Sequence, residues 1–158
     1  PISEARVRRR EYPELVLRFF AYRDQYENFD RRVDEFLDNY LDDKNQNGFD
    51  NAAFESSFMG MLSFVRQHFP YHFRKNANNS SVPRIRFEAI AIGVALALAE
   101  NPNIQPGNMD WLESEMFRYL TRSDASNSRP RVINRINFVR DSLLGRDIEW
   151  ANGVEPTV

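Results

Sequence analysis

Apolar residues recur along this chain at spacings of three and four, the period of an α-helix with one buried face, and nowhere do they alternate over the length of a strand. Leu15, Phe19, Tyr22 and Tyr26 set the first series, with Pro13 placed to occupy its first turn. Val33, Phe36, Leu37, Tyr40 and Leu41 set the second, which Asp30 is placed to cap and the polar loop 43–48 to end. Phe54, Phe58, Met61, Leu62, Val65 and Phe69 set the third. It stops before Pro70, because the residue preceding a proline is driven out of the helical region.

A polar loop over 76–81 separates this series from a different pattern. From Ala89 to Ala99 every residue is apolar or glycine. A helix with no polar face belongs in the interior, so residues 84–100 are expected at the centre of a bundle, with Gly93 and the alanines allowing neighbours close. The turn cluster 101–107, with Pro102, Pro106 and Gly107, cannot continue the helix. A fifth helix is expected to turn Met109, Leu112, Met116, Tyr119 and Leu120 inward. A sixth starts at Ser128 and Pro130, buries Val132, Ile136, Val139 and Leu143, and closes at Gly145. The pattern predicts an all-α fold, a compact bundle of about six helices around a central apolar helix, as one domain over 1–145 with a C-terminal tail over 146–158.

Composition narrows this without redirecting it. The 158 residues are the size of one domain, and 42% hydrophobic with 28% charged residues is globular rather than disordered. Thirteen phenylalanines promise an aromatic core. The absence of cysteine excludes disulfides, thiol nucleophiles and cysteine-based zinc sites. A bilayer span needs roughly 18 apolar residues in a row. The run from Ala89 to Ala99 is too short, so no membrane partner is expected.

The net charge of −2 conceals a segregation. Arg6, Arg8, Arg9 and Arg10 open the chain, acids dominate from Glu11 to Glu55, and arginines return late. Of 21 basic residues only Lys44 and Lys75 are lysines. A guanidinium matches a phosphate bidentately, and Arg131 and Arg135 share a helix face at i, i+4 with Arg129 beside them. Arg84 and Arg86 stand at the start of the central helix. Arg84, Arg86, Arg129, Arg131, Arg135 and Arg140 are therefore the candidate nucleic-acid-binding residues. The competing reading pairs these arginines with the acids of residues 11–55 inside the fold.

Other chemistry is sparse. Asp43-Lys44-Asn45-Gln46-Asn47-Gly48 reproduces the first half of a calcium-binding EF-hand loop, but its twelfth position, normally a bidentate glutamate, is Phe54. His68 and His72 have a zinc-like spacing that Pro70 interrupts. No phosphate-cradling glycine loop, nucleophile elbow or zinc-protease motif is present. No catalytic residue, cofactor or metal is expected.

The order of several stretches carries a resemblance. These are Glu14-Leu15-Val16-Leu17-Arg18-Phe19-Phe20-Ala21-Tyr22, Tyr26-Glu27, the run from Val33 to Tyr40, Phe73-Arg74-Lys75, Phe87-Glu88-Ala89-Ile90-Ala91 with Gly93, and Arg131-Val132-Ile133-Asn134-Arg135-Ile136 with Phe138-Val139-Arg140. Over about residues 9–145 the chain resembles the helical region that follows the catalytic core in the GmrSD-type restriction endonuclease N-terminal-domain family. In that family the active centre lies in a ParB/sulfiredoxin-like core with an Asp-Gly-Gln-Gln-Arg motif, which these residues do not contain. The resemblance implies a C-terminal portion of a cytoplasmic prokaryotic defence protein. That portion would be non-catalytic, within a parent of nuclease or nucleotidase type. It would support the N-terminal core of the same protein, with DNA and a second copy as further candidate partners. The alternative is a docking or self-association scaffold with no nucleic-acid role.

Overall fold

A computed structural model describes residues 4–122 and 127–158, with side chains from Tyr12 onward. The opening arginines Arg6, Arg8, Arg9 and Arg10 lie outside the described side chains. The fold is all-helical, six α-helices packed against one another: α1 (Glu4–Gln25), α2 (Val33–Asn47), α3 (Asn51–His68), α4 (Arg84–Glu100), α5 (Glu115–Leu120) and α6 (Arg129–Leu144). Two short 3-10 turns, Tyr26–Asn28 and Asp110–Glu113, join them.

The apolar helix α4 is central, as its pattern predicts: every residue from Arg86 to Ala95 is buried. It packs against α1, α3 and α6, most extensively against α6. Gly93 makes that last approach tight. A Cβ there would lie 2.5 Å from Val139 Cβ, closer than two carbons can sit, so only glycine permits this spacing. Helix α6 is a second interior helix. Besides the expected Val132, Ile136, Val139 and Leu143 it buries Ile133, Asn134, Arg135, Asn137, Phe138, Arg140 and Asp141. Its outer side is covered by residues 146–151. The Ala151 N–H donates to Asn134 Oδ1 at 2.7 Å and the Glu149 N–H to Asp141 Oδ2 at 2.9 Å. Gly145 in the left-handed region turns the chain back, with φ 66°.

Three local expectations are corrected. Pro13 does not open a helix; α1 runs through it from Glu4. An interior proline removes one ladder bond at a cost of about 3 kcal/mol, which α1 offsets by burying Phe19, Ala21 and Tyr22 completely. Asp30 does not cap α2: Arg32 occupies that position and makes no side-chain cap bond. Phe29, wholly buried, pins the connecting segment inward, and Asp34 and Glu35 face the positive end of the helix instead. The expected fifth helix is broken at Ser114, whose extended backbone separates the 3-10 turn from α5. Ser114 Oγ accepts from the Phe117 N–H at 3.1 Å and donates to the Trp111 carbonyl at 2.7 Å, so one side chain ends one element and caps the next. The break turns Phe117 fully inward, between Trp111 and Phe138 with ring centroids 5.5 and 5.8 Å away.

Candidate functional site

Burying α4 and α6 on all sides takes charged residues into the interior, where each needs a partner. Glu88, on the first turns of α4, accepts from Arg135 Nη2 at 2.7 Å and from Arg18 Nη1 at 2.9 Å. Arg18 reaches Glu14 as well, at 2.9 Å. Two guanidiniums thus face two carboxylates across α1, α4 and α6. Arg135 Nε and Nη1 and the Tyr22 hydroxyl lack protein partners inside this cluster.

A second cluster lies toward the C-terminal end of α6. Arg140 donates to both oxygens of Asp141, at 2.7 and 3.0 Å, to Glu149 at 2.7 Å and to the Tyr26 hydroxyl at 3.1 Å. Arg146 joins Asp141 at 2.8 Å and Glu100 at 2.7 Å. Burial alone pushes the Asp141 carboxyl up, but the bonds from Arg140, the Glu149 N–H and Arg146 outweigh it and hold the group below the usual carboxylate range. Burial pushes the Tyr26 hydroxyl up to about 12, against the opposing pull of Arg140.

The six candidate arginines therefore do not converge on one surface. Arg135 and Arg140 are buried in these clusters, and Arg86 is buried beneath α5, its guanidinium carbon 4.8 Å from the centre of the Phe117 ring. Arg131 lies over the Tyr119 ring at 5.1 Å and donates to its hydroxyl. Arg129 is exposed and donates to the Glu27 carbonyl at 2.8 Å; Arg84 is exposed. The carboxylates that hold the interior arginines are Glu14, Glu88, Glu100, Asp141 and Glu149. Only Glu14 belongs to the acidic stretch that the competing reading supplied as partners.

The polar loops are locally satisfied. Asp43 to Asn47 remain helical at the end of α2, where Asn47 Nδ2 and Lys44 Nζ both contact the Asp43 carboxylate, at 2.8 and 3.1 Å. His68 ends α3 against the Phe64 ring, and His72 sits in the following turn with φ 53°. Among the described residues no group of three or more His, Asp or Glu is placed to hold a metal ion. No described helix is long and apolar enough to cross a membrane.

What the surface does present is an apolar groove of about 920 Å³ between α1, α2 and α3. Tyr12, Val16 and Phe20, one helical turn apart on α1, form one wall with Leu17; Tyr40 and Leu41 of α2 and Phe54 and Phe58 of α3 form the other. The polar lining residues are Lys44, Asn51 and Glu55. Phe20 and Phe54 stack at 4.4 Å across the floor, and Arg23 covers both rings at 5.1 and 4.7 Å. Tyr12, Phe49 and Leu41 stand 64%, 52% and 41% exposed around it, a concentration of large apolar side chains that single scattered ones would not produce. In the sequence, Val16 and Phe20 lie beside the main stripe that Leu15, Phe19, Tyr22 and Tyr26 set on α1. Phe49 follows the glycine that ends α2, and no periodicity could have placed it. Trp150, in contrast, is half-buried against Phe138 and helps close the core.

Comparison with known proteins adds no relative: no family model matches the chain, and neither the curated proteins nor the solved structures searched contain a match. The GmrSD-type resemblance rests on the motifs quoted above alone.

Proposed function

We propose that this chain is a non-catalytic docking domain whose groove between α1, α2 and α3 receives an apolar helix of a catalytic core joined ahead of α1. The reading is supported above all by the exposed rings of Tyr12, Phe49 and Leu41 around an apolar floor. Tyr12, Val16 and Phe20 line the groove from α1, the helix that such a core would precede. With the resemblance added, that core is of the ParB/sulfiredoxin-like restriction type and the parent is a cytoplasmic prokaryotic defence protein. The buried arginines favour this over a phosphate-binding role. Of the six candidates, Arg135 and Arg140 are bonded internally and Arg86 lies recessed at the wall of two clefts, which leaves Arg84, Arg129 and Arg131 on the open surface, and three backbone contacts give weak binding.

Hydrogen–deuterium exchange on the parent protein tests the proposal. The amides at the ends of α2 and α3 that border the groove are expected to be better protected there than in the 158-residue chain alone. Leu41→Ser with Phe49→Ser is expected to abolish the difference. A parent without an Asp-Gly-Gln-Gln-Arg core, or unchanged exchange around the groove, overturns it. A dimer of the isolated chain that the same substitutions dissolve assigns the groove to a second copy instead.

A further inference from the structure

Four arginines are buried among the described residues, and three of them are explained: Arg18, Arg135 and Arg140 each have a carboxylate oxygen at 2.9 Å or less. Arg86 is the exception. It is 5% exposed, its Nε has no partner, and it forms no ion pair. Burial lowers its pKa and only Glu113 works against that, from a distance. A guanidinium stays protonated even so, and a buried charge without a counter-ion costs several kcal/mol. The face of Phe117 returns only part of this.

The position of Arg86 shows what would complete it. It forms the shared wall of two adjoining clefts. One, of about 340 Å³, is lined by Lys75, Asn76, Arg118, Thr121 and Arg122, with Glu113 the one carboxylate among its described lining residues. The other, of about 440 Å³, is mainly apolar, with Phe69, Tyr71, Met109 and Leu112, and has His72, Asp110 and Glu113 as its remaining polar lining. Glu113 is bonded to Arg118 at 3.1 Å and acts on Arg86 only through space. We propose that the basic cleft binds a phosphate group on Arg86, with Lys75 and Arg118 at its mouth, and that the apolar cleft takes the organic part of a small phosphomonoester. The anion supplies the charge that Arg86 lacks, and the planar guanidinium offers it two parallel N–H donors. A single phosphate with one ring-sized substituent fits within these two volumes. This site lies on different elements from the apolar groove and is independent of it.

Calorimetric titration of the folded chain with inorganic phosphate and with phenyl phosphate tests the site, alongside melting curves. Both ligands are expected to bind and to raise the melting temperature by mass action, phenyl phosphate the more strongly. Arg86→Met is expected to weaken both by roughly tenfold or more, the loss of one charge-assisted hydrogen-bonding group, and to melt higher than wild type without ligand. Glu113→Gln, which removes the competing carboxylate, is expected to tighten binding and leave the melting temperature unchanged. Equal affinity for the two ligands identifies free phosphate as the occupant of the same basic cleft. Absence of binding at about 10 mM of either, far above any useful dissociation constant, overturns the site. So does binding that Arg86→Met leaves intact, or a destabilised Glu113→Gln, which would make Glu113 the partner of Arg86.

Discussion

The two halves of this molecule invert the usual distribution of residues in opposite ways. Around α4 and α6 the interior holds charges: Arg18, Glu88, Arg135, Arg140 and Asp141 are all less than a tenth exposed. Between α1, α2 and α3 the surface holds rings, with Tyr12 and Phe49 more than half exposed. The first arrangement is closed, since almost every buried charge there has an opposite charge at hydrogen-bonding distance. The second is open, with exposed rings around a stacked aromatic floor that Arg23 partly covers. The contrast gives the buried arginines an architectural role, the reverse of what arginine count alone suggests, and the proposed docking role is one use for the exposed rings of the groove.

The sharpest way to break that comparison is to remove Glu88. Its carboxylate is shared by two buried guanidiniums, so Glu88→Ala leaves Arg135 uncompensated and Arg18 with Glu14 alone, and is expected to destabilise the fold by about 3–5 kcal/mol in urea unfolding. Glu88→Leu combined with Arg135→Met and Arg18→Met should recover most of that loss, because well-packed apolar groups replace a buried ion cluster at little cost. A mild effect of Glu88→Ala would mean that the cluster is wet and the interior less closed than its geometry indicates.

Next in size is the α4–α6 contact that carries both clusters. Gly93→Ala puts a methyl within 2.5 Å of Val139 Cβ and 3.0 Å of the Arg140 backbone nitrogen. Overpacking of this kind costs about 1–3 kcal/mol. Val139→Ala in the Gly93→Ala background removes the Cγ1 contact at 2.7 Å but keeps the Cβ at 2.5 Å, so it should restore only a small part of the stability. Full rescue would mean that the two helices move apart to take the methyl.

Acid titration separates the two halves by pH. The Asp141 carboxyl is held below its unfolded value, so it contributes stability above the ordinary carboxylate pKa, and that contribution is lost as pH falls through the lowered folded value. Stability is expected to decline below about pH 4, the unfolded value for an aspartate. Asp141→Asn is expected to be less stable at neutral pH and to show a flatter decline. Equal slopes for wild type and variant would mean that Asp141 is not the group that Arg140 and Arg146 hold ionised.

Much of this fold was legible in the sequence because its signals are long. The unbroken apolar run of α4 implied a central helix, and Gly93 within it implied a close neighbour. What escaped was governed by single contacts rather than by period. Ser114 splits a helix through one capping oxygen, and buried Phe29 moves the start of α2 past Asp30. The polar residues of α6 read as an exposed face because Asn134, Arg135, Asn137, Arg140 and Asp141 are ordinarily solvated. They are interior only because Glu88 and the segment 146–151 meet them. The groove was half legible: Val16 and Phe20 lie off the main stripe of α1, whereas the partners that make them a groove come from two other helices and a loop.

The smallest expected effect is also the one that most directly sharpens the contrast. Leu41→Ser and Phe49→Ser remove side chains that are 41% and 52% exposed, so about half of each is taken from water on folding. Each should lower the unfolding free energy of the isolated chain by about 1 kcal/mol, roughly half the value of a fully buried side chain. Phe54→Ser, only a few residues away in the same groove, should cost more, because its ring stacks on Phe20 at 4.4 Å and lies under Arg23. Chemical denaturation of the three variants, read through unchanged m-values, gives the comparison directly. If Leu41 and Phe49 prove as costly as Phe54, they belong to the core of this chain, and their exposure gives no reason for a partner. If they cost clearly less, the exposed half of each contributes nothing to folding, and an occupant of the groove is what remains to use it.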